Sequence, residues 1–579
     1  MTARTETSFR LGRPLAALAL AFLAALPAMA EAPAPETRAP VRAEKQMVAA
    51  ADPRAVEAGL AVLRNGGNAI DAAVAVQAML TLVEPQSSGL GGGAFLLYWD
   101  AKTQTLHAFD GRETAPAAID PRVFLNADGT PKTLRETIVG GQSVGVPGVL
   151  AMLAEAQAKF GKAAWATLFE GSITAAEQGF AVSPRLAMLL KTFAVMKDMP
   201  GAGAYFFHHD GTPYAAGETL ANPDYAQTLR LVAEEGANAF YRGIIAEKIV
   251  AAVTHAPRYA AAMTLDDIAG YEAKERDPVC APYRAYRVCS MPPPTSGGVT
   301  LLQILSALER FESQELQPQS ASQIHRVAEA ERLAYADRAL YLADPDFVDV
   351  PVAGLLDRDY LLMRRTLIDP ARAMPSVEAG RPKGALDFAP HVSPEFQGTT
   401  HFSIVDAEGN AVSMTASIEF AFGSQLMAGG FLLNNELTDF SFEPARDGKP
   451  IANAVAPGKR PRSSMTPVII FDADGKPWAT LGSPGGESII GYVAQSVVDL
   501  IDGQVDIQSA FDAPRFMRRL GPLEFEEGTP LAGRAAEFEA MGHAVTAAHF
   551  NSGLHGIRIF ADPLEGGADP RREGIAAGD

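Results

Sequence analysis

Apolar and polar positions follow two different periods along the chain, and the change of period divides it. Behind Asp52, the run Pro53-Arg54-Ala55-Val56-Glu57-Ala58-Gly59-Leu60-Ala61-Val62-Leu63 repeats apolar residues at helical spacing, with a capping aspartate and proline at the first helical position. This predicts a helix ended by Asn65-Gly66-Gly67-Asn68 and followed by a second, mostly buried helix over 72–82. Ser87-Ser88-Gly89-Leu90-Gly91-Gly92-Gly93 then leads into Ala94-Phe95-Leu96-Leu97-Tyr98-Trp99, which reads as a strand. The glycine run lacks a Gly-x-x-x-x-Gly-Lys-Ser/Thr pattern, so close backbone packing and a turn are expected of it rather than a phosphate cradle.

Helical periodicity dominates from about 146 to 385, most clearly over 299–311 and 324–342. His325, Glu329 and Glu331 do not make a His-Glu-x-x-His pattern, so surface and packing roles are expected of them and no metal is called for. From Phe388 the period shortens to two. The stretches 400–406 and 411–415 predict one hairpin, and 467–471 and 478–481 a second. A helix over 489–501 and a strand over 556–560 complete the pattern. Paired strands with helices in separate runs indicate an α+β chain of stacked layers, not a doubly wound sheet.

Composition adds limits. At 579 residues, 47% hydrophobic and 20% charged, the chain describes a packed globular protein. Its net charge of -19, with no basic patch, argues against a nucleic-acid partner. The N-terminus departs from this pattern. Arg4, Arg10 and Arg13 precede an apolar run over 15–26, then Pro27 and Ala28-Met29-Ala30, which fits a secretory signal over 1–30. Residues 31–44 read as a flexible leader, and no later stretch is apolar for long enough to cross a membrane. The expectation is an exported protein without a membrane anchor once the signal is removed, in the periplasm or, as the alternative, secreted. Cys280 and Cys289, the two cysteines, either close a small loop in an oxidising compartment or remain reduced and half-buried.

The most specific chemistry lies in Gly398-Thr399-Thr400-His401-Phe402-Ser403-Ile404-Val405-Asp406, taken with Ser463-Ser464-Met465 and Ser483-Pro484-Gly485-Gly486. No Gly-x-Ser-x-Gly elbow supplies a serine triad. A threonine exposed as an N-terminus by chain cleavage carries its own base, because its α-amine, with a reference pKa of about 8, can take the hydroxyl proton.

Six motifs in order resemble the gamma-glutamyltranspeptidase family of N-terminal-nucleophile hydrolases. They are Asp110-Gly111-Arg112-Glu113-Thr114-Ala115-Pro116, Pro293-Pro294-Thr295-Ser296-Gly297-Gly298, Thr399-Thr400-His401, Asn434-Asn435-Glu436-Leu437-Thr438-Asp439-Phe440, Pro461-Arg462-Ser463-Ser464-Met465 and Gly482-Ser483-Pro484-Gly485-Gly486. The resemblance implies a four-layer αββα sandwich and self-cleavage between Gly398 and Thr399, giving a large subunit over 31–398 and a small catalytic subunit over 399–579. It implies that Thr399 attacks the γ-carbonyl of a donor such as glutathione, and that water or an amino-acid or peptide acceptor resolves the ester. By the same resemblance Gly485 and Gly486 face the oxyanion and Ser417 bonds the nucleophile. Arg112, Ser463 and Ser464 would hold the donor's α-carboxylate, with Asp439 and Glu436 on its α-ammonium. No cofactor and no metal is implied.

Two departures stand out. Glu419 occupies a position where many relatives carry asparagine, and it either adds a third acid to the ammonium pocket or is paired elsewhere. The stretch 441–462 is shorter than the family's lid loop and has no tyrosine, which implies a more open cleft and larger donors. A glutaryl or cephalosporin acylase-like amidohydrolase is the alternative enzyme, and an exported binding protein that never cleaves is the alternative outside enzymes.

Overall fold

The computed structural model describes residues 38–391, 398–560 and 563–579, so the expected export signal lies outside the described residues. Met47–Ala50 (β1), Gly93–Asp100 (β2), Thr400–Val405 (β3) and Ala411–Ser417 (β4) are buried along almost their whole length on both faces. Such strands must be covered by a layer on each side. They belong to a seven-stranded antiparallel sheet ordered Ile575–Gly578, β1, β3, β4, β2, Thr105–Gly111, Lys274–Arg276. A second antiparallel sheet of seven strands stacks on it, with Pro477–Gly482 and Val468–Phe471 at its centre.

Side-chain alternation builds the layers. Ala94, Leu96 and Tyr98 of β2 join the core beneath Pro53–Arg64 (α1) and Ala69–Val83 (α2). Phe95, Leu97 and Trp99 point the other way, into the core shared with the second sheet, where Trp99 meets Phe471 edge to face at 5.0 Å. Gly297–Leu308 (α3), Ala321–Tyr341 (α4) and Ile489–Ile501 (α5) contribute to that same core and form its outer layer. The result is a four-layer αββα sandwich.

The helix at 53, the strand at 94, both predicted hairpins and the helix at 489 form within a few residues of expectation. Three readings need correction. The leader is not free to residue 44: Val41–Ala43 pairs with the strand Leu564–Ala568 at the edge of the second sheet, and Arg38 bonds Asp512 at 2.7 Å. An edge strand offers unpaired backbone groups, and the leader's end takes them. Leu564–Ala568 and Ile575–Gly578 are strands without a period-two signal. Small residues serve there because the layers nearly touch, as a β-carbon on Gly566 would lie 2.4 Å from the Met47 sulfur. Lastly, α4 has almost no surface. His325, Glu329 and Glu331 are fully buried, His325 against His543 at 2.7 Å and Glu329 between Arg332 and Arg518. Among the described residues no His, Cys, Asp and Glu cluster has the form of a metal site. Cys280 and Cys289 face each other across an antiparallel hairpin and form a disulfide.

Candidate active site

Thr399 sits one residue before β3, between the two sheets' ends, and is 4% exposed. The chain runs through it with φ of 75°, in the left-handed region that costs a β-branched residue about 1–3 kcal/mol. Its backbone is pinned on both sides: the amide donates to the Ser87 carbonyl at 2.9 Å, and the Arg572 guanidinium donates to the Thr399 carbonyl at 2.9 Å. Its hydroxyl lies 3.1 Å from that of Ser417, the last residue of β4. The Ser417 oxygen also accepts the Glu419 amide at 2.8 Å.

The glycine run explains the position of Ser417. A β-carbon on Gly92 would lie 2.0 Å from the Ser417 carbonyl oxygen, and one on Gly91 2.1 Å from that of Leu432. Asn434 bonds Gly91 and Gly145 from the other side, holding the segment that carries Glu436 and Asp439 against the same glycines. The run is close backbone packing beneath the site.

Thr399, Ser417, Glu419, Glu436, Asp439, Ser463, Ser464, Met465, Gly486 and Ile489 surround a cavity of about 20 Å³, room for about one water. The short 441–462 stretch, from which a more open cleft is expected, contributes no residue to this cavity's lining. That stretch forms a small hairpin, Ala445–Arg446 with Lys449–Pro450, and leans on the 387–390 segment through Lys449 to Asp387 and Arg446 to the Pro390 carbonyl. Gly485 and Gly486 have φ of 136° and 60°, which side chains rarely adopt, and the turn runs directly into α5. Amides at such a turn, ahead of a helix N-terminus, suit a developing negative charge.

Arg112 is placed differently from expectation. It is fully buried and does not line the cavity. Its guanidinium bonds Glu436 and Asp439, and donates to the Pro461 carbonyl at 3.1 Å. Burial works against its charge, and the fields of Glu436, Asp439 and Glu113 outweigh that and hold it more basic than usual. Two carboxylates of the Asn434–Phe440 segment thus hold it in the uncut chain. Glu113, 3.7 Å from Arg112, is buried with no hydrogen-bond partner for either oxygen. Burial and then the charge of Glu436 push its carboxyl well above the usual range.

Ser463 and Ser464, as expected, face the cavity beside Thr399. A residue that no motif announced stands behind them: Arg338 of α4, 2% exposed, bonds Ser464, Ser296 and Glu487. Arg572 behind Thr399 was equally silent. Neither lies in a recognisable local pattern, because the cavity residues they bond, Ser464 and Thr399, are more than a hundred positions away.

Comparison with known proteins agrees with this arrangement. Residues 55–579 match the family model described as gamma-glutamyltranspeptidase. The glutathione hydrolase proenzyme of Escherichia coli K12 is 39% identical over 546 residues, covering 92% of this chain and 91% of its own. That of Bacillus subtilis strain 168 is 37% identical over 545 residues, again covering 92% and 91%. Among solved structures, a cephalosporin acylase from Bacillus halodurans superposes with a TM-score of 0.83 at 28% identity, covering 96% of this chain and 99% of its own. With a family match over nearly the whole described chain and two relatives of this identity and coverage, the protein belongs to the gamma-glutamyltranspeptidase family of enzymes.

Proposed function

We propose that this enzyme is a γ-glutamyltransferase and glutathione hydrolase that matures by cutting itself between Gly398 and Thr399. The observation that carries the reading is the Thr399 hydroxyl, 3.1 Å from Ser417 and in one cavity with two serine hydroxyls and the acids Glu419, Glu436 and Asp439. The proenzyme names of its relatives and the left-handed strain at Thr399 support the maturation step.

In maturation the Thr399 oxygen adds to the Gly398 carbonyl, the C–N bond breaks, and the nitrogen takes the hydroxyl proton, leaving an ester. Water then hydrolyses the ester, freeing a Gly398 carboxylate and a Thr399 α-amine. In turnover that amine receives the proton as the oxygen attacks the donor's γ-carbonyl. The Gly485 and Gly486 amides stabilise the oxyanion, the leaving amine is protonated, and water or an acceptor amine cleaves the γ-glutamyl ester. Ser463 and Ser464 hold the α-carboxylate. Glu436, Asp439 and Glu419 line the same cavity, and their carboxylates attract the α-ammonium. Arg112 thus acts by fixing Glu436 and Asp439 rather than by touching substrate. The large and small chains would be 31–398 and 399–579, exported behind the signal over 1–30 to the periplasm or the medium.

A second reading, a glutaryl or cephalosporin acylase-like amidohydrolase, draws on the commitment of Arg112 to the acids and on the acylase superposition. Turnover of γ-glutamyl anilide against glutaryl anilide separates the two. A higher kcat/KM for the glutamyl donor is expected, and a preference for glutaryl would replace the first reading with the second. Thr399→Ala is expected to leave one uncut chain without amidase activity, read by intact mass; normal cutting in that variant would refute self-processing.

A further inference from the structure

The Pro293-Pro294-Thr295-Ser296-Gly297-Gly298 motif has no part in the chemistry above, yet it is bound closely to the site. The Ser463 amide donates to the Pro294 carbonyl at 3.1 Å, and the Ser296 amide donates back to the Ser463 carbonyl at 2.8 Å. The Thr295 hydroxyl donates to the Met465 carbonyl at 2.7 Å, and the Ser296 hydroxyl to the Ser463 carbonyl at 2.6 Å. A β-carbon on Gly297 would lie 2.2 Å from the Thr466 hydroxyl, so the two segments lie against each other without room between. The motif is a template that fixes the backbone of Ser463, Ser464 and Met465.

Backbone placement does not decide where a hydroxyl proton points. A serine hydroxyl has one proton and two lone pairs, and a cationic donor on the oxygen turns the proton away from itself. Arg338 supplies that donor: its Nη2 donates to the Ser464 oxygen at 2.6 Å. Its Nε donates to the Ser296 oxygen at 2.8 Å, and its Nη1 pairs with Glu487, the residue after the Gly485-Gly486 turn, at 2.8 Å. The Ser463 oxygen accepts the Met465 amide at 3.1 Å, so both serine oxygens at the cavity receive a proton from the protein side. Each hydroxyl proton is thereby turned away from that donor, and two O–H groups at one cavity suit a carboxylate.

The geometry points to Arg338 as the positioning residue that makes Ser464 a donor to the substrate's carboxylate. This rests on the proposed function for the identity of the donor. Arg338 touches no reacting atom. Its effect is on which acyl groups the site accepts.

The test compares three anilides on the matured enzyme: γ-glutamyl, glutaryl, which lacks the ammonium, and 4-aminobutanoyl, which lacks the carboxylate. The readout is kcat/KM of each carboxylate-bearing donor divided by that of the 4-aminobutanoyl donor, so any general loss cancels. Arg338→Gln should lower this ratio by about tenfold or more, the scale of one hydrogen bond to a charged group. The loss should appear mainly in KM, and Arg338→Gln should add nothing further in a Ser464→Ala background. Arg338→Lys, which keeps a cation but loses the fork, should lie between wild type and Arg338→Gln. An equal loss on all three donors would overturn the proposal and make Arg338 a purely structural residue. If Arg338→Gln does not mature, Ser464→Ala decides alone: an unchanged ratio there overturns the proposal. A wild-type preference for glutaryl over glutamyl would refute the proposed function and leave this test intact, because both donors carry the carboxylate.

Discussion

Replacing Arg112 with methionine keeps the volume of a long side chain and removes the one guanidinium between Glu436 and Asp439. Arg112 is fully buried, and the carboxylates it bonds are 2% and 9% exposed, so bulk water does not replace the lost partner. Breaking a buried pair by removing one partner costs about 3–5 kcal/mol, and the two pairs share one cation, so the loss is taken once. A chain of about 540 ordered residues unfolds with an entropy near 1.1 kcal/mol per kelvin, which turns about 4 kcal/mol into a fall in Tm of about 4 °C. The assay is thermal unfolding of Arg112→Met in a Thr399→Ala background, so that incomplete maturation does not alter the comparison. The pH dependence has a definite sign. Without Arg112 the carboxyls stay buried only by taking up protons, so the folded variant binds more protons than its unfolded chain above about pH 4. Its stability must then fall as pH rises, and the gap to the parent should widen between pH 5 and pH 8. A gap below 1 °C, or one that narrows with rising pH, would refute the ion-pair account of Arg112.

Two further outcomes follow from the packing. Gly92→Ala places a β-carbon 2.0 Å from the Ser417 carbonyl oxygen. The displaced Ser417 should lower kcat/KM by about tenfold or more, as misplacement near 1 Å does, and unchanged kinetics would show that Ser417 need not be held there. Glu331, buried in α4, has its carboxyl pushed up to about 8 by burial, with only partial relief from the Arg518 amide. The folded form therefore keeps a proton that the unfolded chain gives up near 4.5, and stability is lost as pH rises from there to about 8. Glu331→Gln removes this loss, so denaturant midpoints of variant and parent should diverge in favour of the variant over that window, by up to about 5 kcal/mol. Parallel curves would mean that Glu331 ionises freely.

The elements with a strong period were legible: the helix at 53, the strand at 94, both hairpins and the helix at 489 needed only local alternation. Thr399, Ser463, Ser464, Glu436 and Asp439 each lie in a dense local motif, and the fold brings them together with Ser417 around one cavity. Arg112 was not legible in the same way. Its motif marks it as special, but only the fold brings Glu436 and Asp439, more than three hundred residues later, to its guanidinium. His325, Glu329 and Glu331 misled because charge normally signals surface, whereas α4 lies beneath the segments carrying Arg518 and His543, and its charges are met from there. The strands at 564 and 575 left no period because tight layer contact selected glycine and alanine over alternation.

The order of the strands carries one more consequence. In the first sheet β1, from the chain before residue 398, lies between Ile575–Gly578 and β3, both from the chain after it, and β2 in turn pairs with β4. In the second, Val41–Ala43 and Tyr286–Ser290 flank four strands that follow residue 398. Cutting one peptide bond therefore releases nothing: the two pieces remain woven together, and either could leave only by tearing both sheets. Folding and cutting are ordered in time by this weave. The intact chain has the advantage of a tethered partner when the sheets assemble, and the cut product, once unravelled, would have to find that partner by diffusion. A matured enzyme that is denatured and returned to buffer should consequently recover far less, and more concentration-dependently, than its uncut precursor.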